Sequence, residues 1–402
     1  MISFDEAFNI INETDLHLKS EIVSLLNSLN RITYNDVVSL ADYPAENNSA
    51  MDGYALNSNL IQKINKEAVL KLKIDKNIIY AGDDSKTPVK KDAAIRIMTG
   101  GYLPETFDFV IPVEDAKVEG NRLIIKHPIK PDKNVRKKGE DIKNGDIVLN
   151  KNTRLTPENI SMLASCNIKK IKVYEKIPVS IISTGNEIID FKRKPKYGKI
   201  YNSNGILAEN FLSENDCRIA NNAVCKDNLK EIENALSEAV KTSKIIITSA
   251  GASFGDKDFT EKALESVGFK IKFRQVAIKP AKPFSFGLIN KKIPVFMLPG
   301  NPVAFYICLA AFVKPFINKH IKINSRMRII KSKSSFEYIK NNKRREFIPA
   351  RTFYKDGAVY SEIYKKSGPA MISSLGYMNS IVSVPENVSE IVAEDLLDTY
   401  LI

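Results

Sequence analysis

Apolar and polar positions alternate most regularly between residues 178 and 325, where short strand-like runs are followed by stretches with helical spacing. The strand-like runs are VSIIST (179–184), RIANNAVC (218–225), KIIIT (244–248), PFSFGLI (283–289) and IPVFML (293–298). The helical stretches are ILAENFLSEN (206–215), NLKEIENALSEAV (228–240), FTEKALESVG (259–268) and PVAFYICLAAFVKPF (302–316). This alternation predicts a three-layer α/β domain with a mostly parallel sheet covered on both faces.

Two other regions have the short, turn-bounded runs that are typical of β-rich domains. In residues 31–134 these runs are AVLKLKI (68–74), AAIRIM (93–98), DFVIPV (108–113) and RLIIKH (122–127). From residue 326 onward they are RMRII (326–330), EFIPARTF (346–353), AVYSEIY (358–364) and SIVSVP (380–385). We therefore expect β-rich domains on both sides of the α/β domain.

Helical spacing also appears near the start of the chain and before the α/β region. Apolar stripes over residues 3–29, with Ser3 as a cap and Glu6 following it, predict a helix. LTPENISMLASCNI (155–168) predicts a short helix that begins after Thr156. The expected domains are a linking domain from residues 1–30 and 135–175, an inserted β-rich domain at 31–134, the α/β domain at 176–325, and a C-terminal β domain at 326–402.

The most apolar window, residues 293–313, is predicted to be a strand, a turn and a buried helix. Its centre is Pro-Gly-Asn-Pro (299–302), which would interrupt a helix that crosses a membrane. The first residues, MISFDEAFNI, are acidic and amphipathic and do not resemble a signal peptide. We therefore expect a cytoplasmic protein without a membrane anchor.

Cysteine and histidine usage argues against several kinds of site. The 4 cysteines are widely spaced and form no CxxC pair, which argues against disulfides and a structural zinc site. The 3 histidines form no zinc-hydrolase motif. A hard cation held by carboxylates is the more plausible metal.

Positive charge is in excess, since 60 Lys and Arg face 47 Asp and Glu to give a net charge of +13. The basic residues are spread along the chain, which is typical of a solvated lysine-rich surface. No motif combines aromatic and basic residues in the manner of nucleic-acid binding, so we expect no nucleic-acid partner.

The ends of the predicted parallel strands point to a ligand site, because ligands of open α/β sheets bind beyond the carboxyl ends of the strands. Loops follow the strands at 185–187, 226–228, 249–258 and 299–302. The candidate substrate-binding residues in them are Gly185, Ser249, Gly251, Ser253, Gly255, Pro299, Gly300 and Asn301.

The loop TSAGASFGDKDFT (248–260) combines small residues with carboxylates. Small residues and the following helix N-terminus suit an anion such as a phosphate, although no P-loop motif is present. The carboxylates of Glu187, Asp227, Asp256 and Asp258 would repel an anion unless Mg²⁺ lay between them. Asp256 and Asp258 could instead cap the next helix.

Three further segments contain charged or small residues in suggestive positions. Lys279 and Lys282 lie in AIKPAKPFSFG, where prolines stiffen the backbone and the pair could bind an anion or simply face solvent. SAMDGYAL (49–56) and RIMTGGYLP (96–104) lie in the β-rich region and, taken alone, are interpreted as turns.

Taken together, SAMDGYAL, RIMTGGYLP, VRKKGEDIKNGD, ISTGNEI, TSAGASFGD, AIKPAKPFSFG and LPGNPVA occur in the order seen in molybdopterin molybdenumtransferases. The chain thus resembles the family of MoeA proteins and of the gephyrin E domain over nearly its whole length. The resemblance implies a homodimer that inserts molybdate into adenylylated molybdopterin and releases AMP with Mg²⁺. Molybdate and water both remain candidates for the attacking oxygen.

The resemblance also implies which residues act. Functional residues of the family fall on Asp52, Thr99, Asp141, Glu187, Asp227, Asp258, Lys279 and Lys282. Glu187, Asp227, Asp256 and Asp258 would hold Mg²⁺, and the lysines would attract molybdate and phosphate groups. Asp52, Thr99 and Asp141 would reach the site across the dimer interface.

The chain departs from the family pattern at several positions. Ala250, Ala252 and Phe254 make the glycine-rich loop bulkier, Ala281 replaces a glycine between the two lysines, and Asn186 replaces an aspartate. These changes keep the proposed ligands but affect the fit, so tungstate remains an alternative to molybdate.

Two other functions remain as alternatives. The molybdopterin adenylyltransferase of the same pathway has a similar α/β domain, and it is also a possible partner. The β-rich domains and SAMDGY favour insertion of the metal instead. A non-enzymatic scaffold, as in the receptor clustering by gephyrin, is disfavoured because no receptor-binding extension or linker is visible.

Overall fold

The computed structural model describes residues 1–62, 69–83, 88–126, 132–194, 197–249, 259–323, 329–364 and 368–402. The chain divides into two compact units, one formed by residues 21–173 and the other by residues 1–20 and 174–402. The limits of the four expected domains stay a prediction.

The helices of the described residues are short to medium in length. They are α1 (Phe4–Asn12), α2 (Asn59–Gln62), α3 (Pro157–Ser165), α4 (Ser203–Glu214), α5 (Leu229–Thr242), α6 (Phe259–Ser266), α7 (Pro302–Cys308), α8 (Lys314–His320) and α9 (Ser373–Tyr377). A π-helical turn, Leu309–Val313, joins α7 to α8. Short 3₁₀ turns lie at Leu25–Asn27 and Val113–Asp115.

The strands before residue 175 are β1 (Ser20–Ser24), β2 (Val37–Val38), β3 (Asn48–Ser49), β4 (Gly53–Leu56), β5 (Leu70–Ile79), β6 (Ala94–Ile97), β7 (Phe109–Pro112), β8 (Lys117–Glu119), β9 (Arg122–Ile125), β10 (Val135–Arg136), β11 (Ile147–Leu149) and β12 (Lys170–Tyr174). Those of the remaining chain are β13 (Ile177–Thr184), β14 (Ile188–Ile189), β15 (Ile200–Tyr201), β16 (Cys217–Cys225), β17 (Ile245–Ser249), β18 (Phe269–Arg274), β19 (Ile278–Lys279), β20 (Ser285–Ile289), β21 (Ile293–Leu298), β22 (Ile329–Ser334), β23 (Tyr338–Ile339), β24 (Arg345–Lys355), β25 (Ala358–Ile363), β26 (Ser380–Val384), β27 (Glu390–Ile391) and β28 (Leu396–Leu401).

The unit formed by residues 21–173 contains a six-stranded sheet in the order β7-β4-β6-β5-β9-β8. Strands β4, β6 and β7 of this sheet are largely buried, and they contribute to two clusters. One cluster contains Leu56, Leu72, Phe109 and Leu123, and the other contains Ala55, Ile95 and Val110. Helix α3 begins as predicted, with Thr156 accepting the N–H of Asn159 and Pro157 in the first turn.

The predicted helix over residues 3–29 is wrong beyond Asn12. Helix α1 ends there, and Ser20–Ser24 forms strand β1, which pairs with β12. The local spacing of apolar residues favours a helix here, but this preference is weak. The hydrogen bonds that β1 forms with the distant strand β12 outweigh it. Helix α1 itself is capped as predicted, because Ser3 Oγ accepts the N–H of Glu6.

The α/β sheet of the other unit has the order β16-β13-β17-β21-β20-β18. Strands β16, β13, β17 and β21 are parallel, and β20 and β18 are antiparallel to their neighbours. Helices α5 and α6 cover the face that carries Ile182 and Ile246. The α/β content predicted from the sequence is thus confirmed, as are the β-rich parts around it.

The C-terminal strands close on themselves into a barrel. Strand β24 pairs with β25 and with β26, and β25, β22, β28 and β26 complete the ring. Strand β19, which precedes the last strands of the α/β sheet, adds to β24 in parallel. Phe4 of α1 packs against Phe347 of the barrel at a ring-centroid distance of 5.3 Å.

The apolar window near residue 300 forms a strand, a turn and a buried helix, as predicted. By length and composition, residues Pro302–His320 are the one described helix that could cross a membrane, but 78% of its most apolar window is buried inside the protein. Such burial is typical of a core helix.

Candidate functional site

The candidate site lies at the carboxyl edge of the parallel strands, because β16, β13, β17 and β21 are neighbours that run in the same direction. Their last residues are Cys225, Thr184, Ser249 and Leu298. Strand β20 runs antiparallel to β21 and therefore begins at this edge, where Ser285 pairs with Met297. The segment that contains Lys279 and Lys282 directly precedes β20, so it also lies near this edge of the sheet.

The loops after β13 and β16 are hydrogen-bonded to each other. The N–H of Asn186 donates to Asp227 Oδ2 at 3.2 Å, and the N–H of Asp227 donates to Asn186 Oδ1 at 3.3 Å. The N–H of Gly185 donates to Cys225 O at 3.1 Å. These bonds bring Asp227 beside the Gly185–Glu187 turn, as the sequence predicted.

Glu187 folds back over Gly185. A Cβ built at Gly185 would lie 2.7 Å from Glu187 Oε2, and the φ of Gly185 is +152°. A side chain at residue 185 would therefore displace the carboxylate and strain the backbone. The glycine at this position allows the Glu187 carboxylate to lie against the backbone of residue 185 at the sheet edge.

Glu187 and Asp227 supply the hard oxygen donors that Mg²⁺ prefers, and Mg²⁺ commonly needs only one or two carboxylates when a phosphate completes its coordination. Among the residues that the structure describes, no three Asp, Glu, His or Cys side chains are grouped so as to hold a metal. Asp256 and Asp258, the other predicted ligands, lie outside the described residues, as do Gly251, Ser253, Gly255, Ala250, Ala252 and Phe254. The donor set at residues 187 and 227 fits a magnesium site that substrate completes.

Asn204 connects two of the predicted loops and was overlooked in the sequence. Helix α4 begins at Ser203, before the predicted stretch 206–215, and Asn202 caps it by accepting the N–H of Gly205 at 3.0 Å. Asn204 is buried in the first turn, where Nδ2 donates to Ser249 Oγ at 2.9 Å and to Gly300 O at 2.8 Å. Asparagines near the start of a helix commonly act as caps, so the sequence around Asn204 did not indicate that it contacts the strand ends.

Several buried polar atoms at this edge find no hydrogen-bond partner within the described residues. They are Ser183 Oγ, Thr248 Oγ1 and Asn204 Oδ1. Unpaired buried polar atoms are costly in a protein interior, so a ligand or water that pairs with them is favoured. The strand ends are thus suited to a polar ligand.

The turn after β21 lies where the sequence placed it. Pro299 is buried, Gly300 and Asn301 are exposed, and Asn301 O accepts the N–H of Phe305 at 2.9 Å to begin α7. The Gly300 carbonyl is held by Asn204, so this turn is fixed to α4 and to the end of β17.

Lys279 lies at the junction of the α/β domain and the barrel. Its Nζ donates to Glu346 Oε1 at 3.1 Å, and its backbone lies opposite Glu346 in the pairing of β19 with β24. Lys282 is exposed, and its carbonyl accepts the N–H of Val276 at 3.0 Å. Glu346 was not expected from the sequence, because its partner lies 67 residues away.

Ala281, between the two lysines, has a φ of +85° and is buried. This conformation favours glycine, which is the residue that the family pattern has between the two lysines. The departure from the family sequence is therefore accommodated at this position.

Asp52 and Thr99 form a pair in the unit of residues 21–173. Both side chains are exposed, and Thr99 donates its N–H and its hydroxyl to Asp52 Oδ1. The backbone hydrogen bond from Thr99, and then the hydroxyl bond, hold the pKa of Asp52 below its usual value. The pair therefore presents an ionised carboxylate at neutral pH.

Two further features lie in the same unit. Gly100 lines a cleft of about 600 Å³ that also contains Glu46 and Glu105. Asp141 is exposed, and its N–H donates to Tyr43 O at 3.2 Å. The sequence-based grouping of Asp52, Thr99 and Asp141 with the strand-end residues stays a prediction.

Comparison with known proteins covers almost the whole chain. Residues 2–167 match the MoeA N-terminal region (domain I and II), residues 180–319 match a probable molybdopterin binding domain, and residues 331–402 match the MoeA C-terminal region (domain IV). All three regions are therefore of kinds that occur together in MoeA proteins.

Individual relatives agree with these matches. The molybdopterin molybdenumtransferase of Haemophilus influenzae is 34% identical over 322 residues, or 79% of this chain and 78% of the relative. That of Staphylococcus epidermidis is 30% identical over 403 residues, or 100% of this chain and 95% of the relative. A crystal structure of the molybdopterin biosynthesis moeA protein from Pyrococcus horikoshii has a TM-score of 0.79 at 26% identity and covers 100% of both chains.

Proposed function

The chain belongs to the MoeA family of molybdopterin molybdenumtransferases, and on this premise we propose that it inserts molybdate into adenylylated molybdopterin and releases AMP. Its role is in molybdenum cofactor biosynthesis. The observation that carries the proposal is the convergence of the loops that carry Glu187, Asp227, Ser249 and Gly300 at the carboxyl edge of one parallel sheet. Asn186 bonds to Asp227, and Asn204 bonds to both Ser249 and Gly300.

Substrate binding is assigned to the strand-end loops of the three-layer α/β domain. The pterin and its pyrophosphate would lie against the loops that contain Gly185, Ser249 and Pro299–Asn301. Ser183 Oγ and Asn204 Oδ1 are buried and free of partners among the described residues, which supports a polar ligand at this edge. Gly251, Ser253 and Gly255 are proposed to supply further backbone donors.

Glu187 and Asp227 are proposed to hold Mg²⁺, together with Asp256 and Asp258. Mg²⁺, when bound, would neutralise the negative charge that develops on the departing AMP. Asn186 keeps Asp227 in place through its backbone and side chain, and Gly185 leaves space for Glu187. Water access to the carboxylates would fall once the nucleotide covers the edge.

The lysines are proposed to bind the oxyanions. Lys279 and Lys282 lie near the start of β20, where their ammonium groups would attract molybdate and the phosphate groups. In the reaction, an oxygen from molybdate or water forms a bond to phosphorus, the pyrophosphate P–O bond breaks, and AMP leaves with that electron pair. The two dithiolene thiols then bind molybdenum in place of one molybdate oxygen, and their protons leave with that oxygen as water. Where molybdate itself attacks phosphorus, the Mo–O bond breaks in this step and the oxygen stays on the phosphate.

Asp52, Thr99 and Asp141 are proposed to complete the site from the second subunit of a homodimer. Large apolar side chains are exposed in the unit of residues 21–173, among them Leu26 at 88% and Ile22 at 69% of their full exposure. Exposed apolar residues of this size commonly mark protein interfaces, which supports a homodimer.

AMP release tests the proposal. The purified protein is incubated with adenylylated molybdopterin, Mg²⁺ and molybdate or tungstate, and AMP is measured by chromatography. AMP that depends on molybdate and Mg²⁺ supports the proposal, whereas a lack of AMP with either oxyanion overturns it. A reaction with ATP and molybdopterin that forms the adenylylated pterin would instead identify the adenylyltransferase.

A further inference from the structure

Glu346 is a buried carboxylate that the proposed reaction does not yet use. It lies in β24 of the C-terminal barrel, and its side chain is 2% exposed. Tyr338 donates its hydroxyl to Glu346 Oε2 at 2.5 Å, and Asn342 donates its amide to Oε1. A buried charge is stable only where hydrogen bonds and an opposite charge compensate for its lost hydration.

Lys279 supplies that opposite charge. Its Nζ lies 3.1 Å from Glu346 Oε1, and its side chain is 44% exposed, so one side of the ammonium group meets the buried carboxylate while the rest faces outward. The pairing of β19 with β24 places the two backbones opposite each other. The lysine therefore has a fixed anchor on its inner side.

The pair lies close to the strand-end loops. Lys279, Glu346 and Tyr338 line a cavity of about 160 Å³ together with Val303, which follows the Pro299–Asn301 turn in α7. The N–H of Val303 donates to Pro369 O at 3.1 Å, which connects the start of α7 to the segment before α9. The barrel thus contributes to the surroundings of Lys279 at this edge of the sheet.

We propose that Glu346 is a positioning residue, which holds the ammonium group of Lys279 at the carboxyl edge of the α/β sheet where the oxyanion binds. This inference rests on the proposed function, because that function gives Lys279 its role. Burial alone would raise the pKa of Glu346, but the hydrogen bonds from Tyr338, Asn342 and Lys279 outweigh burial and lower it. The anchor therefore stays ionised at neutral pH.

Glu346→Gln tests the proposal through the molybdate dependence of AMP release. Simple removal of a negative charge beside an anion site would lower the KM for molybdate. Loss of a positioning contact has the opposite effect, and we expect the KM to rise about tenfold, the scale of one charge-assisted hydrogen bond, with kcat changed less than about twofold. Glu394→Gln is the matched control, because Glu394 pairs with Lys333 in the same barrel, and it should leave the KM unchanged.

Glu346→Asp separates position from charge. It keeps the carboxylate but withdraws it by about 1.5 Å, one C–C bond, so it should also raise the KM for molybdate. A Glu346→Gln or Glu346→Asp protein with a wild-type or lowered KM overturns the inference while leaving the proposed function intact. A wild-type protein that releases no AMP overturns the proposed function, and the inference with it.

Thermal unfolding provides a readout that does not depend on turnover. Lys279→Met leaves Glu346 as a buried carboxylate without its cation, so its Tm should fall below that of the wild type. Adding Glu346→Gln to Lys279→Met should raise the Tm again, because the uncompensated charge is removed. A double variant that is no more stable than Lys279→Met overturns the pairing, even if neither Glu346 variant alone can be purified.

Discussion

The carboxylate of Asp52 accepts two hydrogen bonds from Thr99, one from the backbone N–H and one from the hydroxyl, each 2.7 Å long. Thr99 thereby fixes both the position and the ionised state of an exposed aspartate. The two residues are distant in the chain, since Asp52 precedes β4 and Thr99 follows β6, and the pairing of these two strands brings them together. Both side chains are exposed, so we expect substitutions at residue 99 to alter Asp52 without altering the fold.

Thr99→Val removes the hydroxyl donor while keeping the shape of the side chain. We expect kcat/KM for AMP release to fall about tenfold, the effect of losing one hydrogen bond to a charged group, with the Tm nearly unchanged. Thr99→Ser keeps the hydroxyl and serves as the control, with activity close to that of the wild type. Equal activity of the Val and Ser variants would show that this hydroxyl has no part in the reaction.

Asp52 should stay ionised throughout the range in which the enzyme is assayed. Its pKa in the folded protein is below the usual value, so its contribution to stability is complete above a pH of about 4 and is lost as the pH falls through the folded pKa. Titration of Asp52 should therefore not affect the rate of AMP release between pH 6 and 8, an ordinary assay range. The pH profiles of the wild type and of Asp52→Asn should have the same shape in this range. If the wild-type rate changes with pH in this range and the rate of Asp52→Asn does not, Asp52 is not ionised throughout the range.

Glu187→Gln and Asp227→Asn should each raise the Mg²⁺ concentration that gives half-maximal AMP release, by about tenfold, because each removes one charged oxygen ligand. Glu209→Gln is the matched control, since Glu209 lies on α4 and accepts a hydrogen bond from the Asn222 amide of β16. The measurement is a Mg²⁺ titration of initial rates after dialysis against EDTA. Superimposable titration curves for all of these proteins would exclude both residues as ligands.

Asn204→Ala should destabilise the protein by about 1–3 kcal/mol, because Ser249 Oγ and Gly300 O lose a buried donor. The KM for adenylylated molybdopterin should rise as well, since the two loops are no longer joined. Asn210→Ala removes an exposed amide of the same helix that donates to the Ile206 carbonyl, and it should change neither quantity. Urea unfolding measures the stability, and initial rates measure the KM. If both quantities are the same for the two variants, Asn204 does not have the assigned role.

Ala281→Val should destabilise the protein by about 2 kcal/mol, because a β-branched residue tolerates a φ of +85° poorly. Ala281→Gly should fold with a urea midpoint close to that of the wild type, because glycine adopts this conformation without strain and offsets the loss of a buried methyl group. If the Val variant unfolds at the wild-type midpoint, the backbone at residue 281 does not have this conformation.

The α/β domain could be predicted because its signal is local. Each apolar run such as KIIIT is long enough to indicate a buried strand, and Glu187 and Asp227 could be grouped because they follow parallel strands. Strand β18 was missed, since FKIKFR has lysines at alternate positions and lies at the sheet edge. An exposed edge strand carries charge and gives a weak apolar pattern.

The contacts that join distant segments could not be predicted in the same way. Glu346 is one acidic residue in a basic stretch, and its burial depends on Lys279, Tyr338 and Asn342 arriving together. The helix expected over residues 3–29 failed for a related reason, because β1 is stabilised by β12 and not by its own spacing. Local patterns predict elements, whereas pairing across long separations depends on the complete fold.

The closed ring of β24, β25, β22, β28 and β26 has a consequence for the behaviour of the protein during synthesis and storage. A strand with unpaired N–H and C=O groups is a template for other chains, and such edges promote aggregation. In the barrel, each of these strands has neighbours on both sides, and β24 additionally receives β19. The closed ring therefore leaves none of these five strands as a free edge, which lowers the tendency of this part of the chain to aggregate by edge pairing.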